Sequence, residues 1–278
     1  MFSFPMPKFL RRRLRAPVVP AIRLSGVIGS AGFGARGLSL ATLERAIDAA
    51  FAHKRAPAVA LLINSPGGSP VQSALIAGRI RALAEEKGLP VLAFVEDVAA
   101  SGGYWLACAA DEIFADPSSI VGSIGVVSAG FGFQEAIAKL GIERRVHTTG
   151  EHKALLDPFR AERAEDLVLL RQIHGDILAR FVAHVRARRG DRLQGDDSQL
   201  FDGRIWTGDA ALQHGLIDGL GEARAVIRQR YGKDARLALA NPRRGWLRRL
   251  RFRGEAAHML EDALAVVEAR AHWQRFGL

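Results

Sequence analysis

Short unbroken apolar runs alternate with stretches of helical period along most of this chain. The runs 58–65 (AVALLINS) and 90–96 (PVLAFVE) contain almost no polar residue before their last positions. That is the pattern of strands buried on both faces. Strands are also predicted over 18–29 (VVPAIRLSGVIG), 112–116 (EIFAD), 119–128 (SIVGSIGVVS) and 143–149 (ERRVHTT). Helical spacing covers 39–53, opened by Ser39, and 70–88, closed by Gly88. It recurs over the short apolar stretch 102–110, over 134–141 and over 161–189. Shorter segments through 232 complete the body, and 254–275 reads as an amphipathic helix.

Continuous apolar strands alternating with helices predict the α/β class, a parallel sheet covered by helices. Sites in such sheets form at the carboxyl ends of the strands. Two glycine-bearing stretches fall at such ends: 64–68 (NSPGG) and 96–103 (EDVAASGG).

Composition narrows the class of molecule. At 278 residues, 49% hydrophobic and 24% charged, the chain is long enough for one large domain with extensions. A single cysteine, Cys108, excludes an intrachain disulfide. No apolar run reaches the ~18–20 residues that cross a bilayer. At the N-terminus the arginines follow the short apolar stretch instead of preceding it, which is not the order of a signal peptide. A cytoplasmic protein is expected, peripheral at the inner face of the membrane and without a transmembrane segment.

The net charge of +10 is concentrated at the ends. Residues 1–16 carry +5 and residues 234–253 carry +6, leaving the body close to neutral. Arginine there is mixed with Trp, Phe and Leu (FLRRRLR, WLRRLRFR), which suits an anionic membrane surface. No nucleic-acid-binding motif accompanies it. Three segments follow: a basic extension over 1–18, a body over 19–231, and a basic linker with a helix over 232–278.

The chemistry-bearing residues lie in the body. Pro66, Gly67 and Gly68 end a strand and expose backbone N–H groups next to a helix start, an arrangement that fits an oxyanion hole or an ordinary turn. Ser101 stands at a second strand-to-helix junction with Gly102 behind it, which fits a nucleophile or a helix N-cap. A serine nucleophile needs a base, and no histidine falls between 54 and 146. Lys153 stands in the glycine-led loop 148–160 (TTGEHKALLDPFR) of a chain with six lysines and 33 arginines. Arginine cannot act as a base, whereas a desolvated lysine can. His152 is a second candidate. Ser123 either orients that amine or packs as a strand serine bonded to backbone. Cys108 lies in an apolar helix, where cysteine is usually core packing.

The stretches NSPGG, VAASGGYWLACAADEIFADPSSIVGSIGVV and TTGEHKALLDPFR, in this order and at this spacing, resemble the S49 peptidase family of signal peptide peptidase A and SohB-like serine proteases. The likeness covers roughly 19–231. It implies a ClpP/crotonase-type α/β fold and a Ser–Lys dyad, with Ser101 as nucleophile, Lys153 as general base and Ser123 as a helper. It implies an oxyanion hole from Gly102 with Gly67 or Gly68, and no metal or cofactor. It also implies peptide substrates such as signal-peptide remnants, and ring-like homo-oligomers in which a neighbouring protomer can complete the dyad. Many members carry an N-terminal membrane segment, where this chain has a short basic stretch. Two other readings share the fold class or the charge: a crotonase-like acyl-CoA enzyme, and a non-catalytic membrane scaffold. A ClpP-type peptidase is disfavoured by the missing histidine after Ser101.

Overall fold

A computed structural model describes residues 16–29, 37–150 and 152–240, with Trp273 and Phe276. The first strand is β1 (Val18–Ser25), followed by α1 (Leu40–Phe51), β2 (Val59–Ser65), α2 (Pro70–Lys87), β3 (Val91–Ala100) and α3 (Gly102–Ala107). Strands β4 (Glu112–Ala115) and β5 (Ile120–Gly122) precede α4 (Gln134–Lys139) and the long α5 (Ala164–Arg189). Then come α6 (Asp197–Leu200), β6 (Ile205–Thr207), α7 (Gly208–Gln213), β7 (Gly219–Leu220), α8 (Ala223–Tyr231) and β8 (Arg236–Leu239).

Among the described residues the sheet runs β6-β5-β3-β2-β1-β8, with β4 beside β3 and β7 beside β4. Every pair is parallel except β5 with β6. This is the α/β class expected from the alternation of apolar runs and helical periods. β3 is long enough to divide its edge: Leu92–Val95 pair with β4 and Val98–Ala100 pair with β5. Its last residues therefore sit deep in the sheet, one step before Ser101.

The two faces of the sheet have separate cores. One gathers Ile22, Leu24, Leu61, Ile63 and Val95 with residues of α1, α2, α3 and α5. The other gathers Val19, Leu62, Leu92, Phe94 and Phe114 with Ala223 and Ile227 of α8. The helix ends follow their sequence signals. Ser39 caps α1, accepting from the Thr42 N–H in a capping box. Ser69 caps α2 ahead of Pro70, and Gly88 closes that helix in the left-handed conformation at φ 59°. Near the amino ends of the strands, buried Arg189 donates to both carboxylate oxygens of Asp218, at 2.7 and 3.0 Å, and fastens the end of α5 beneath the sheet. Burial alone would raise the Asp218 carboxyl, but bonds from Arg189 and the Ile113 N–H hold it below the usual carboxylate range.

Three expectations change. The strand predicted over 143–149 is absent: those residues are exposed and irregular, and they pair with no strand among the described residues. The strand predicted over 119–128 keeps only Ile120–Gly122, because Gly122 (φ 110°) and Ser123 (φ 51°) turn the chain out of the ladder. The long helix begins at Ala164, after Arg163 in extended conformation. The edge strands β6 and β8 were not foreseen; they are short and half exposed, with little apolar pattern to reveal them. The helix expected over 254–275 and the basic stretches 1–15 and 241–253 lie outside the described residues.

Candidate active site

Ser101 connects the end of β3 to the start of α3 in a conformation that L-residues rarely adopt, φ 52° and ψ −121°. Such strain, on the order of 1–3 kcal/mol, persists only where surrounding structure enforces it. Here three backbone bonds do so. The Ser101 N–H donates to Gly122 O at 2.8 Å, and Ser101 O accepts from Tyr104 N–H and Trp105 N–H at 2.9 and 3.0 Å. The hydroxyl makes no capping bond to the helix, although the residue occupies the cap position. The N-cap alternative therefore does not describe this serine: its side chain is half-exposed and uncommitted.

The loop after β2 is pressed directly against this turn. A Cβ placed on Gly67 would lie 2.8 Å from Ser101 Cβ and 2.9 Å from Ala100 O, so no side chain fits there. A Cβ on Gly102 would lie 2.5 Å from Ser73 Oγ, and the Gly68 nitrogen is 3.4 Å from that same point. Neither position has room for a side chain: at Gly67 the backbone of Ala100 and the Ser101 Cβ close the space, and at Gly102 the Ser73 hydroxyl does. The amides divide cleanly. Gly67 N–H donates to Ser65 Oγ at 3.3 Å. The N–H groups of Gly68 and Gly102 find no acceptor among the described residues. Two unpaired backbone donors beside an uncommitted hydroxyl can stabilise a developing oxyanion.

Ser123 is joined to this cluster through the preceding residue, since Gly122 O is the acceptor for Ser101 N–H. Its own N–H donates to Arg204 O at 2.7 Å, while its hydroxyl has no bond among the described residues. It is not the bonded strand serine of the alternative reading.

Lys153 is placed differently. It lies in a turn after Gly150, with its N–H donating to Gly150 O at 3.1 Å, and it is exposed. Within the described chain no hydrogen bond or ion pair joins its amine to Ser101 or Ser123. His152 beside it is exposed as well. The turn is secured from below by two buried carboxylates. Asp157 accepts from Arg144 Nε at 3.0 Å and from Phe159 N–H at 3.1 Å. Asp166 accepts from Arg163 at 2.6 and 3.0 Å. Arg144 holds the Asp157 carboxyl, and Arg163 the Asp166 carboxyl, below the usual carboxylate range. A backbone bond from Leu156, itself at φ 51°, adds to the effect on Asp166. These two anchors were not singled out in the sequence; an isolated Asp in a polar loop carries no periodic signal.

Cys108 is fully buried, and burial pushes its thiol up to about 12, which removes it as a nucleophile at neutral pH. Among the described residues no cluster of His, Cys, Asp or Glu could hold a metal ion.

The chain is similar to several known proteins. A structural neighbour, a membrane-bound stomatin-specific protease, superimposes with a TM-score of 0.49 at 15% identity over 77% of this chain and 84% of its own. A Brucella abortus protein named Na(+)/H(+) antiporter NhaA is 50% identical over 293 residues, covering all of this chain and 40% of that protein. The chain thus spans less than half the length of that relative. The chloroplastic serine protease SPPA of Arabidopsis thaliana is 36% identical over 184 residues, 64% of this chain and 26% of its own. A putative protease of Synechocystis is 32% identical over 203 residues, 73% of this chain and 69% of its own. The model of peptidase family S49 matches residues 83–236, more than half of the chain and inclusive of Ser101, Gly102, Ser123 and Lys153. The chain belongs to peptidase family S49.

Proposed function

We propose that this chain is a serine endopeptidase that hydrolyses peptide bonds through an acyl-enzyme, with Ser101 as nucleophile and Lys153 as general base. The observation that carries the reading is the strained, uncommitted Ser101 lying against two unpaired amides. The Lys153 amine accepts the Ser101 proton as Oγ attacks the scissile carbonyl carbon. The carbonyl oxygen becomes the oxyanion and is held by the N–H groups of Gly68 and Gly102. A donor of this kind contributes about 3–4 kcal/mol to the transition state. The ammonium of Lys153 then gives its proton to the leaving amine, and water releases the acyl group from Ser101. The Ser123 hydroxyl, free beside Ser101, is suited to orient the incoming amine.

The dyad is read as shared between protomers of a homo-oligomer. Lys153 is exposed in the isolated chain, and the segment leading to it exposes Val127, Phe131, Leu140 and Ile142. A second copy covering that surface would bury the lysine, and burial favours the uncharged amine that a base must be. The substrates proposed are extended peptides, including signal-peptide remnants and other membrane-associated or unfolded segments. Among the described residues no helix is long and apolar enough to cross a membrane. A cytoplasmic, peripheral site with the basic ends on anionic lipid remains part of the proposal. The Brucella match is read as a peptidase segment within longer polypeptides, because the family match falls inside the aligned region.

The test is hydrolysis of a fluorogenic apolar peptide by the purified protein, comparing wild type with Ser101→Ala and Lys153→Ala at unchanged oligomeric mass. Both variants should be inactive. Full activity in Ser101→Ala would overturn the reading, and in that case acyl-CoA binding becomes the question to ask.

A further inference from the structure

The loop that supplies the Gly68 amide is built on a defect in the parallel ladder. β1 and β2 pair in register up to Ser25 and Asn64, and the chain beyond β1 continues the pairing. Gly26 N–H donates to Asn64 O at 2.9 Å. In a regular parallel ladder the next rung would run from the N–H of residue 66 to Gly26 O. Residue 66 is proline and has no N–H to give. The hydroxyl of Ser65 supplies the missing donor, reaching Gly26 O at 2.7 Å. Pairing then resumes one residue out of step, with Ile28 N–H to Gly67 O and Ser69 N–H to Ile28 O, both at 2.8 Å. The extra residue makes this a bulge. The same Ser65 oxygen accepts the Gly67 N–H at 3.3 Å, and Ser65 is completely buried.

We propose that Ser65 is a positioning residue of the oxyanion site: its hydroxyl replaces the rung that Pro66 cannot make, holds the Gly67 amide inward, and so leaves the Gly68 amide free beside Gly102. This rests on the peptidase reading above. The side chain touches no substrate. It acts by deciding which of two adjacent glycine amides is spent inside the protein and which is left for the reaction. Removing the hydroxyl leaves the partly buried Gly26 carbonyl and the buried Gly67 amide without these partners, and the Gly67 peptide can then rotate toward the site in place of Gly68.

The experiment uses the assembled full chain, a fluorogenic peptide and a peptide aldehyde of the same sequence. The aldehyde carbon bonds to Ser101 Oγ, and its oxygen takes the place of the reaction's oxyanion. Ser65→Ala is expected to lower kcat by about 10- to 100-fold with KM nearly unchanged, less than outright loss of a donor. Aldehyde inhibition should weaken by the same factor, which a general loosening of the fold would not impose while KM held. A kcat within about twofold of wild type, or a fall in kcat with undiminished aldehyde affinity, overturns the proposal. Should Ser65→Ala fail to assemble, nitrogen-15-labelled wild type decides. Aldehyde addition is expected to shift the Gly68 and Gly102 amide protons and leave Gly67 in place, and a shift at Gly67 instead of Gly68 overturns it. Failure of the peptidase reading itself has a separate signature, turnover that survives Ser101→Ala.

Discussion

The two halves of the proposed dyad sit in opposite kinds of structure. Ser101 ends a strand buried in the middle of the sheet, and glycines let neighbouring backbone close around it at van der Waals distance. Lys153 sits on the segment from 127 to 162, where most of the described residues are exposed and carboxylate–guanidinium contacts at Asp157, and at Asp166 just beyond it, are local anchors. The first region is held by packing and by backbone bonds within one chain. The second is held by charge and by ring contacts of Phe133 with Phe131 and Phe159, and it presents apolar side chains to solvent. The proposed nucleophile and oxyanion donors are therefore preorganised by the fold of a single protomer, whereas the proposed base is displayed on an exposed surface that, in the proposed oligomer, a neighbour covers. A peptidase built this way would be silent until assembled.

The largest expected effects remove the dyad. Ser101→Ala or Lys153→Ala should each lower kcat by on the order of 10⁴-fold or more, as when a unit of cooperating groups is broken. Retention of activity in either would erase the distinction between the two regions. Next in size, Gly67→Ala drives a methyl group into Ser101 Cβ and Ala100 O at a residue with φ 105°. It should cost about 1–3 kcal/mol of stability, seen as a lower Tm, and activity should fall with it.

On the lysine side the expected response is to pH. Asp157 and Asp166 are depressed below their ordinary values, chiefly by Arg144 and Arg163 respectively. A depressed carboxyl contributes stability above its unfolded pKa and loses it as pH falls through the folded one. Acidification below about pH 4 should therefore open residues 144–166 before the sheet, which hydrogen exchange resolved by segment would show. Asp166→Asn should produce the same local opening at neutral pH while β2 and β3 stay protected. Simultaneous loss of both regions would mean that the segment depends on the core after all. The smallest effect belongs to Cys108→Ala, which should leave kcat within about twofold, since its neutral thiol takes no part in the reaction.

What the sequence revealed follows the same division. Continuous apolar runs and strong capping signals made the sheet, α1 and α2 legible, and the two glycine-bearing turns fell where strand ends predict sites. Which of the Gly67 and Gly68 amides is left unpaired was not legible, because the Gly67 amide is taken by a hydroxyl that also fills a gap in a ladder between strands far apart in sequence. Ser65 preceding Pro66 carried that signal, but only the pairing of β2 with the chain after β1 gives it meaning. The strand expected over 143–149 failed for a related reason. ERRVHTT has the composition of an edge strand, yet strand formation requires a partner edge, and among the described residues it pairs with none.

The measurement that tests the central claim most directly is complementation between two inactive variants. Ser101→Ala and Lys153→Ala chains, carrying different affinity tags, are co-expressed, and oligomers containing both are isolated through the two tags in turn. If Ser101 of one protomer works with Lys153 of the next, mixed oligomers should recover roughly a quarter of wild-type activity, the share of random neighbours that unite an intact serine with an intact lysine. Mixed oligomers of correct mass that remain inactive would contradict the account, because a dyad closed within one chain cannot be rebuilt by mixing.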